Sequence, residues 1–283
     1  MPTFKQLIHQ YTEACNKIDL PEQTALTYIV ELTQKNRVDL YMNYDENVPV
    51  DVLKEYEEGM QRILKHEPMQ HVLGYSWFYG YQFIVNPNVL IPRPETEELV
   101  SHILANIDEH FPTGDVLCAD IGTGSGAIAI AVAKEEARVC MLATDISEEA
   151  VEVAKKNALN NGASVEFMVG DMLEPIISKE IKLDVLISNP PYIPQQEVLE
   201  ESVIDFEPHV ALFGGEDGLK FYRTILENCH KVLKDKAFIA FEMGWDQAKA
   251  LTSEVKKYIP NAQSEVIKDM NGKDRMLLVY YCR

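Results

Sequence analysis

Hydrophobic residues near the start of the chain repeat at the spacing of an amphipathic helix. The recurring apolar residues are Phe4, Leu7, Ile8, Tyr11 and Cys15. Residues three and four positions apart share one face of a helix, so this spacing predicts a buried helical face. Glycine, which weakens helix interiors, is rare before Gly74. The pattern predicts a small helical domain over residues 1–72.

The pattern becomes β-prone after the helical segment. Residues 75–85 are rich in aromatic and β-branched side chains, and the turn-forming residues 86–88 separate them from a short apolar run at 89–91. Aromatic and β-branched residues favour strands, and Asn-Pro-Asn favours a turn between them. We therefore predict a β-hairpin linker over residues 73–91, whose aromatic side chains serve packing.

From residue 92 onward, a proline-led helix over residues 95–109 is followed by alternating strand-like and helical patterns. The predicted strands lie near residues 116–120, 139–144, 164–169, 184–188, 236–243, 262–267 and 276–282. The predicted helices lie near residues 126–136, 147–160, 217–233 and 245–257. This alternation predicts an α/β domain over residues 92–283, with a doubly wound and mainly parallel sheet.

Composition and charge limit the class of protein. The chain has 283 residues, of which 46% are apolar and 25% charged, enough for one large or two modest domains. A formal net charge of −19 would repel a phosphate backbone, so we expect no direct binding of nucleic acid. The acidic surface would suit a basic protein partner; the alternative is that it serves solubility alone.

The sequence also bears on location and on metal sites. No stretch approaches the roughly eighteen apolar residues of a membrane span, and the first residues lack the pattern of a signal peptide. The five cysteines are scattered, odd in number and without a Cys-x-x-Cys pair, which argues against disulfides and structural zinc. We expect a cytoplasmic protein without a membrane partner or a metal site.

Polar or glycine residues follow four successive predicted strands. After the first comes a Gly-x-Gly-x-Gly run, formed by Gly122, Thr123, Gly124, Ser125 and Gly126. The second strand ends at Asp145, the third at Asp171 and Met172, and the fourth at Asn189. The carboxyl ends of parallel strands meet at one edge of the sheet, where such folds bind ligands. Taken singly, Asp145 could equally belong to a helix start. Taken together, these residues predict a ligand site in which Asp145 grips two ribose hydroxyls.

The tetrapeptide Asn189-Pro190-Pro191-Tyr192 is stiff and polar at one end. The two prolines end the preceding strand and hold the following loop rigid. The Asn189 amide and a carbonyl fixed by the prolines would form a cradle for a planar NH₂ group. The alternative is an asparagine that caps a turn before a proline-rich loop.

The combination of Gly-x-Gly-x-Gly, the strand-end acid Asp145 and Asn-Pro-Pro-Tyr resembles the class I S-adenosylmethionine-dependent methyltransferases. The resemblance implies a Rossmann-like sheet whose last strand is antiparallel. It also implies S-adenosyl-L-methionine as the cofactor and S-adenosyl-L-homocysteine as its product. Residues 122–126 would pass under the methionine part and Asp145 would hold the ribose. Asp171 and Met172 would border the adenine, and Asn189 would contribute to the same site. Some relatives have an aromatic residue at the Met172 position.

In the families that share it, Asn-Pro-Pro-Tyr serves the methylation of a planar nitrogen, either of a nucleic acid base or of a glutamine side chain. Such a nitrogen is a poor nucleophile because its lone pair is delocalised. The Asn189 oxygen and the Pro190 carbonyl would accept its two hydrogens and aim it at the methyl group. Pro191 would border the substrate, and Tyr192 would form a wall against one face. The resemblance thus implies Asn189, Pro190 and Tyr192 as catalytic residues.

Over its whole length the chain resembles the bacterial release-factor glutamine methyltransferases, which have a helical N-terminal domain, a hairpin linker and a catalytic domain. The resemblance runs through residues 68–74, 90–97, 120–126, 189–194, 206–208, 214–218 and 241–244. It implies N5-methylation of the glutamine in the Gly-Gly-Gln loop of peptide chain release factors. The helical domain would help to grip this protein partner.

Three alternatives stay open: a methyltransferase of nucleic acid bases, one of a ribosomal-protein glutamine, and a noncatalytic cofactor-binding or adaptor protein, against which the intact Asn-Pro-Pro-Tyr argues. The acidic charge argues against the first, and the match at residues 93–97 argues against the second. Arg93, Thr96 and Glu97 are expected at the mouth of the site. Alternatively, Arg93 and Glu97 only tie the helix start to the hairpin. Glu242, at the end of the fifth strand, is expected to hold a loop.

Overall fold

The computed structural model describes residues 1–198 and 205–282. The described residues form two compact units, one built from residues 1–75 and the other beginning at Ser76. None of the helices in the described part of the chain is long and apolar enough to cross a membrane.

The domain boundaries at residues 72 and 91 stay a prediction. The segment expected to be catalytic, residues 92–283, includes residues 199–204 and Arg283, which lie outside the described residues.

The first unit consists of short helices, as the spacing of its apolar residues predicts. The helices are α1 (Phe4–Asn16), α2 (Thr24–Thr33), α3 (Arg37–Met42), α4 (Val50–Ile63) and α5 (Met69–Leu73). A capping box starts α1. The Thr3 hydroxyl accepts from the Gln6 N–H at 3.3 Å, and Gln6 Oε1 accepts from the Thr3 N–H at 3.0 Å. The apolar face predicted for this helix, from Phe4 to Cys15, is buried in the core of the unit.

The predicted hairpin is present, but it turns earlier than the sequence suggested. Its strands are β1 (Tyr75–Phe78) and β2 (Tyr81–Ile84). The turn lies at Tyr79 and Gly80 and not at residues 86–88. Both turn residues have a positive φ, of 52° and 78°, which matches the twist of a two-residue hairpin. The apolar run 89–91 is irregular backbone, because Val89 and Ile91 are buried in a small apolar cluster instead of pairing as a strand.

Strands and helices alternate along the second unit. Its helices are α6 (Pro94–His110), α7 (Ala127–Glu135), α8 (Glu148–Asn161), α9 (Glu174–Ser178), α10 (Lys220–Asn228) and α11 (Ala248–Tyr258). Its larger sheet contains β3 (Val116–Ile121), β4 (Val139–Asp145), β5 (Val165–Val169), β6 (Leu183–Ser188), β7 (Leu233–Glu242), β8 (Gln263–Lys268) and β9 (Asp274–Cys282). The strands and helices predicted from residue 92 onward are present. The short helix α9 is an element that the periodicity did not predict.

The strand order of the sheet is β5-β4-β3-β6-β7-β9-β8. The neighbours from β5 to β7 are parallel, and β9 runs antiparallel to both β7 and β8. The predicted fold class, a mainly parallel doubly wound sheet with an antiparallel last strand, is confirmed. From β3 the chain first adds β4 and β5 on one side, and it then crosses back to add β6 and β7 on the other side. In such sheets a crevice opens at the carboxyl ends of the strands around this point.

Apolar side chains of the central strands alternate between two buried layers. In β3, Ala119 and Ile121 belong to one cluster, whereas Val116 and Cys118 belong to the other. Successive side chains of a strand point to opposite faces, so a strand covered on both faces is apolar throughout. The carboxyl ends of the strands are therefore where polar groups can gather around a ligand.

Candidate active site

A cavity of about 320 Å³ lies at the carboxyl edge of the sheet. This volume falls within the range of small-molecule sites. The predicted site residues that line it are Gly122, Thr123, Gly124, Ser125, Asp145, Asp171, Met172, Asn189 and Pro191. Gly126, Pro190 and Tyr192 were predicted as well; each is a direct neighbour in sequence of a lining residue. The residues picked from four separate strand ends thus meet at one place.

The glycine-rich loop joins β3 to α7 and is tied to the end of β4. The N–H groups of Gly122 and Thr123 both donate to the Thr144 carbonyl, at 2.9 Å each. Gly124 has a φ of 55°, a conformation that is unfavourable for residues with a side chain. A Cβ built on Gly124 would meet no protein atom within 4 Å. The backbone here therefore faces open space, in which a ligand can approach closely.

Asp145 ends β4, and its carboxylate holds the glycine loop in place. Oδ2 accepts from the Gly124 N–H at 2.8 Å, and Oδ1 accepts from the Ser147 N–H at 3.0 Å. Burial raises the pKa of this carboxyl despite these hydrogen bonds. The Ile146 N–H also hydrogen-bonds to this carboxylate. An ionised carboxylate offers about four lone-pair sites, so it can still accept from a ligand hydroxyl while its backbone contacts keep it oriented.

An apolar slot lies beside this carboxylate. Met172 lines the cavity from a backbone with a φ of 44°, and its carbonyl accepts from Thr144 Oγ1 at 3.0 Å. Asp171 lines the cavity with an exposed side chain. Ile146 also lines it and is 54% exposed. Sequence reasoning missed Ile146, although an apolar residue directly after the strand-end acid Asp145 was a usable signal.

The Asn-Pro-Pro-Tyr loop leaves β6 next to the glycine loop. Ser188, the last residue of β6, donates its hydroxyl to the Ile121 carbonyl at 2.7 Å and so ties the ends of β6 and β3 together. Asn189 follows at the cavity wall, and Pro190 is buried. Tyr192 packs against one of the two apolar layers, and burial raises its pKa to about 12. Its phenol is therefore neutral at physiological pH.

Two family models match different parts of the chain. The PrmC N-terminal domain matches residues 6–74, and the Methyltransferase small domain matches residues 96–206. The release factor glutamine methyltransferase of Bacillus cereus is 45% identical, covering 86% of this chain and 86% of the relative. The relative of the same name from Bacillus subtilis is 42% identical over 90% of each chain. The chain belongs to the release factor glutamine methyltransferase family.

The fold is shared more widely than this family. A methyltransferase from Pyrococcus furiosus superposes with a TM-score of 0.53 and covers 80% of this chain and 98% of its own length. At 21% identity this similarity concerns the fold alone. The family inferred from the motifs and the class I methyltransferase fold are both confirmed.

The cavity fits the S-adenosylmethionine that this methyltransferase family implies. The open-faced glycine loop, the carboxylate at Asp145 and the apolar slot can hold a nucleoside with a charged tail. Asp120, below the loop, is 1% exposed, and its Oδ1 has no hydrogen-bond partner among the described residues. Thr123 Oγ1 donates to Asp120 Oδ2 at 2.6 Å, and burial raises the pKa of Asp120 to about 7.

Within residues 1–198 and 205–282, no group of three or more His, Cys, Asp or Glu could hold a metal ion.

The contacts of Arg93 and Glu97 decide between the two roles expected for them, at the mouth of the site or as a link between the helix start and the hairpin. Arg93 lines the cavity and donates twice to the buried Glu207, at 2.6 and 2.9 Å. Glu97 Oε1 accepts from the Tyr79 N–H of the hairpin turn at 2.8 Å. Thr96 lines the cavity. Arg93 and Thr96 thus belong to the cavity wall, whereas Glu97 ties α6 to the hairpin.

Two buried residues support the site: Gln247, which the sequence did not single out, and Glu242, which it expected to hold a loop. Gln247 Nε2 donates to the Tyr192 carbonyl at 2.9 Å, and its Oε1 accepts from the Gly244 N–H at 2.9 Å. Glu242, at the end of β7, accepts from Thr96 Oγ1 at 2.6 Å. Gln247 thus holds the Asn-Pro-Pro-Tyr loop, whereas the sequence led us to expect that Glu242 would hold a loop.

Proposed function

We propose that the protein transfers the methyl group of S-adenosyl-L-methionine to the side-chain nitrogen of the glutamine in the Gly-Gly-Gln loop of peptide chain release factors. One observation carries the proposal: the Asn-Pro-Pro-Tyr loop leaves β6 at the wall of the cavity that Gly124 and Asp145 also line. A cradle for a planar nitrogen therefore lies beside a site for a nucleoside cofactor. Membership of the family supports the same activity.

The proposed cofactor site consists of the predicted strand-end residues. The glycine loop, residues 122–126, holds the amino acid part, and Asp145 accepts the ribose hydroxyls. Asp171, Met172 and Ile146 border the base. When bound, the cofactor supplies an electrophilic methyl group on a sulfonium centre.

Orientation is the main catalytic contribution of the Asn-Pro-Pro-Tyr loop. The Asn189 Oδ1 and the Pro190 carbonyl accept the two hydrogens of the glutamine NH₂ group and hold its nitrogen in line with the methyl group. Positioning of this kind lowers the activation barrier by roughly several kcal/mol. The same acceptors stabilise the positive charge that grows on nitrogen. The nitrogen loses a proton only as the new bond forms, so no separate base is needed before attack.

Tyr192 forms a neutral wall of the cradle. Its phenol stays protonated because burial raises its pKa to about 12. An uncharged ring can face the planar amide without introducing a competing negative charge. Its carbonyl is held by Gln247, which keeps the loop in place while substrate enters and leaves.

A release factor as partner agrees with the charge of the chain. The formal charge of −19 disfavours nucleic acid, which argues against a base methyltransferase. The first unit, helices α1 to α5, is proposed to recognise the factor. Its helix α3 leaves Val38, Tyr41 and Met42 more than half exposed, an arrangement suited to a protein partner. A partner that acts in translation also places the enzyme in the cytoplasm.

The activity is tested with purified protein, labelled cofactor and three acceptors: a release factor, ribosomal proteins and RNA. We expect label in the release factor alone, and mass spectrometry of its tryptic peptides should place the methyl group on the Gly-Gly-Gln glutamine. Asn189→Ala should abolish transfer while cofactor binding persists. Asn271→Ala, at an exposed position, is the matched control. Label in RNA or in a ribosomal protein instead would overturn the proposed substrate.

Recognition by the first unit is tested separately. Met42→Glu should raise the KM for the intact factor and leave turnover of a short Gly-Gly-Gln peptide unchanged, because the peptide lacks the surface of the factor that would contact α3. Lys54→Glu, an exposed change on α4, provides a charge control. Equal KM values for the factor in both variants and the native protein would exclude α3 from recognition.

A further inference from the structure

Three side chains from three distant parts of the chain meet behind the cradle. Thr96 comes from the first turn of α6, Asn189 follows β6, and Glu242 ends β7. Thr96 is 4% exposed and Glu242 is 2% exposed. Thr96 Oγ1 lies 2.6 Å from Glu242 Oε2 and 3.5 Å from Asn189 Nδ2. The Asn189 side chain also hydrogen-bonds to the Glu242 carboxylate.

The direction of these hydrogen bonds follows from counting hydrogens. An ionised carboxylate can only accept, so Thr96 must donate its single hydroxyl hydrogen to Glu242. Towards Asn189, the same hydroxyl can then act only as an acceptor. Both groups that face the Asn189 amide from behind therefore require its NH₂ end. The amide oxygen is bonded to neither group, and Asn189 lines the cavity.

We propose that Glu242 is a positioning residue that acts both directly and through Thr96 to hold the Asn189 amide with its oxygen towards the cavity. The inference rests on the proposed function, in which Asn189 Oδ1 accepts a hydrogen of the substrate NH₂ group. The reversed amide would present NH₂ to NH₂, which repels the substrate nitrogen. The pair behind Asn189 thus decides whether the cradle accepts or rejects its substrate.

The charged and titratable groups around Glu242 come from several elements. Arg275 on β9 favours its ionised form, whereas Glu95 on α6 opposes it. Tyr192 and Tyr222 interact with the same carboxylate. Burial is the largest influence and raises the Glu242 pKa to about 7. Ionised and protonated forms are therefore both populated near neutral pH.

Protonation of Glu242 would weaken the constraint on the amide. A protonated carboxyl can donate to Thr96 Oγ1, which frees the threonine hydrogen to turn towards Asn189. That hydrogen favours the amide oxygen and so stabilises the reversed orientation. Turnover should consequently fall as pH falls through about 7.

The kinetic experiment compares kcat and KM of the native enzyme, Glu242→Gln, Thr96→Val and Thr96→Ser over this pH range, with release factor as substrate. A neutral glutamine cannot require the NH₂ end, so Glu242→Gln should lower kcat on the order of tenfold to a hundredfold. Its KM for the cofactor should be unchanged, and the decline of kcat on the acid side should disappear. Thr96→Val has the size of threonine but lacks the hydroxyl; it should lower kcat less than Glu242→Gln, because the direct hydrogen bond between Glu242 and Asn189 remains. Thr96→Ser keeps the hydroxyl and should restore most of the turnover.

A second measurement reports on the amide without catalysis. With ¹⁵N-labelled asparagine, the Asn189 NH₂ signal is assigned by its absence from Asn189→Ala. In the native protein this signal should shift with pH around 7, and in Glu242→Gln it should not. Unchanged kcat and an unchanged acid decline in Glu242→Gln, with Asn189→Ala inactive, would overturn the positioning role and leave the proposed function intact. Normal turnover by Asn189→Ala would instead overturn the proposed function.

Discussion

Asp120 should make the stability of the protein depend on pH, and Asp120→Asn should remove that dependence. The carboxyl is buried below the glycine loop, where Oδ2 accepts from Thr123. Its Oδ1 has no partner within the described part of the chain. Burial raises its pKa from 3.8 to about 7. The folded protein therefore disfavours the ionised form that predominates in the unfolded chain at neutral pH.

The sign and size of the effect follow from this shift. The group binds its proton more tightly in the folded state, so its stabilising contribution is full below pH 3.8 and is lost as pH rises through about 7. A shift of about three pKa units corresponds to about 4 kcal/mol in total. Between about pH 6 and about pH 9 the contribution of the last pKa unit of this shift is lost. The unfolding free energy of the native protein should therefore fall by about 1.4 kcal/mol relative to that of Asp120→Asn.

Urea unfolding of the cofactor-free proteins, followed by circular dichroism at these two pH values, measures the difference. Both values lie above the sequence pI of about 4.8, where the protein carries a net negative charge. Asp235→Asn changes an exposed aspartate of β7 and should show no such pH-dependent difference. If the difference in unfolding free energy between native protein and Asp120→Asn were the same at both pH values, the reasoning would be refuted.

Three further substitutions test other parts of the structure. Gly218→Ala places a Cβ on a backbone with a φ of 74°, where it would overlap the Tyr192 carbonyl, so turnover should be lost while cofactor affinity in calorimetry persists. Asp145→Ala removes the proposed ribose acceptor, which is also the carboxylate that holds the glycine loop. Because two charge-assisted hydrogen bonds to the ribose are lost, the cofactor affinity in the same assay should fall at least roughly a hundredfold. Gly59→Ala places a Cβ in overlap with the buried Tyr28 hydroxyl. It should lower the unfolding free energy by about 1 to 2 kcal/mol in urea, because overpacking outweighs the gain in helix propensity. A more stable Gly59→Ala protein, or normal turnover by Gly218→Ala, would contradict these close contacts.

The elements that the sequence predicted well are those whose signals are local. The strands and helices from residue 92 onward followed from apolar runs and helical periodicity, because burial on one or both faces leaves its period in the sequence. The glycine run at 122–126 and the acid at Asp145 were found because each directly follows a strand. The carboxyl ends of parallel strands share one edge, so the position along the chain was enough to bring these residues together.

The hairpin shows where local signals compete. Two turn-forming segments were available, Tyr79-Gly80 and residues 86–88, and the sequence favoured the second. The structure uses the first, since Val89 and Ile91 are buried in an apolar cluster instead of pairing as a strand. An apolar run can be buried by either route, and its own residues do not distinguish them.

By itself, the sequence predicted the chemistry of this protein from a glycine loop, strand-end acids and a proposed cradle for a planar nitrogen, each a short motif whose geometry is set by neighbouring residues. The tertiary structure alone decided which side chains contact Asn189. Thr96 and Glu242 are 146 positions apart, and Thr96 and Asn189 are 93 apart. They meet because β7 pairs with β6 and the start of α6 reaches the same edge. Strand order and helix placement result from packing over the whole domain, so no local pattern records them.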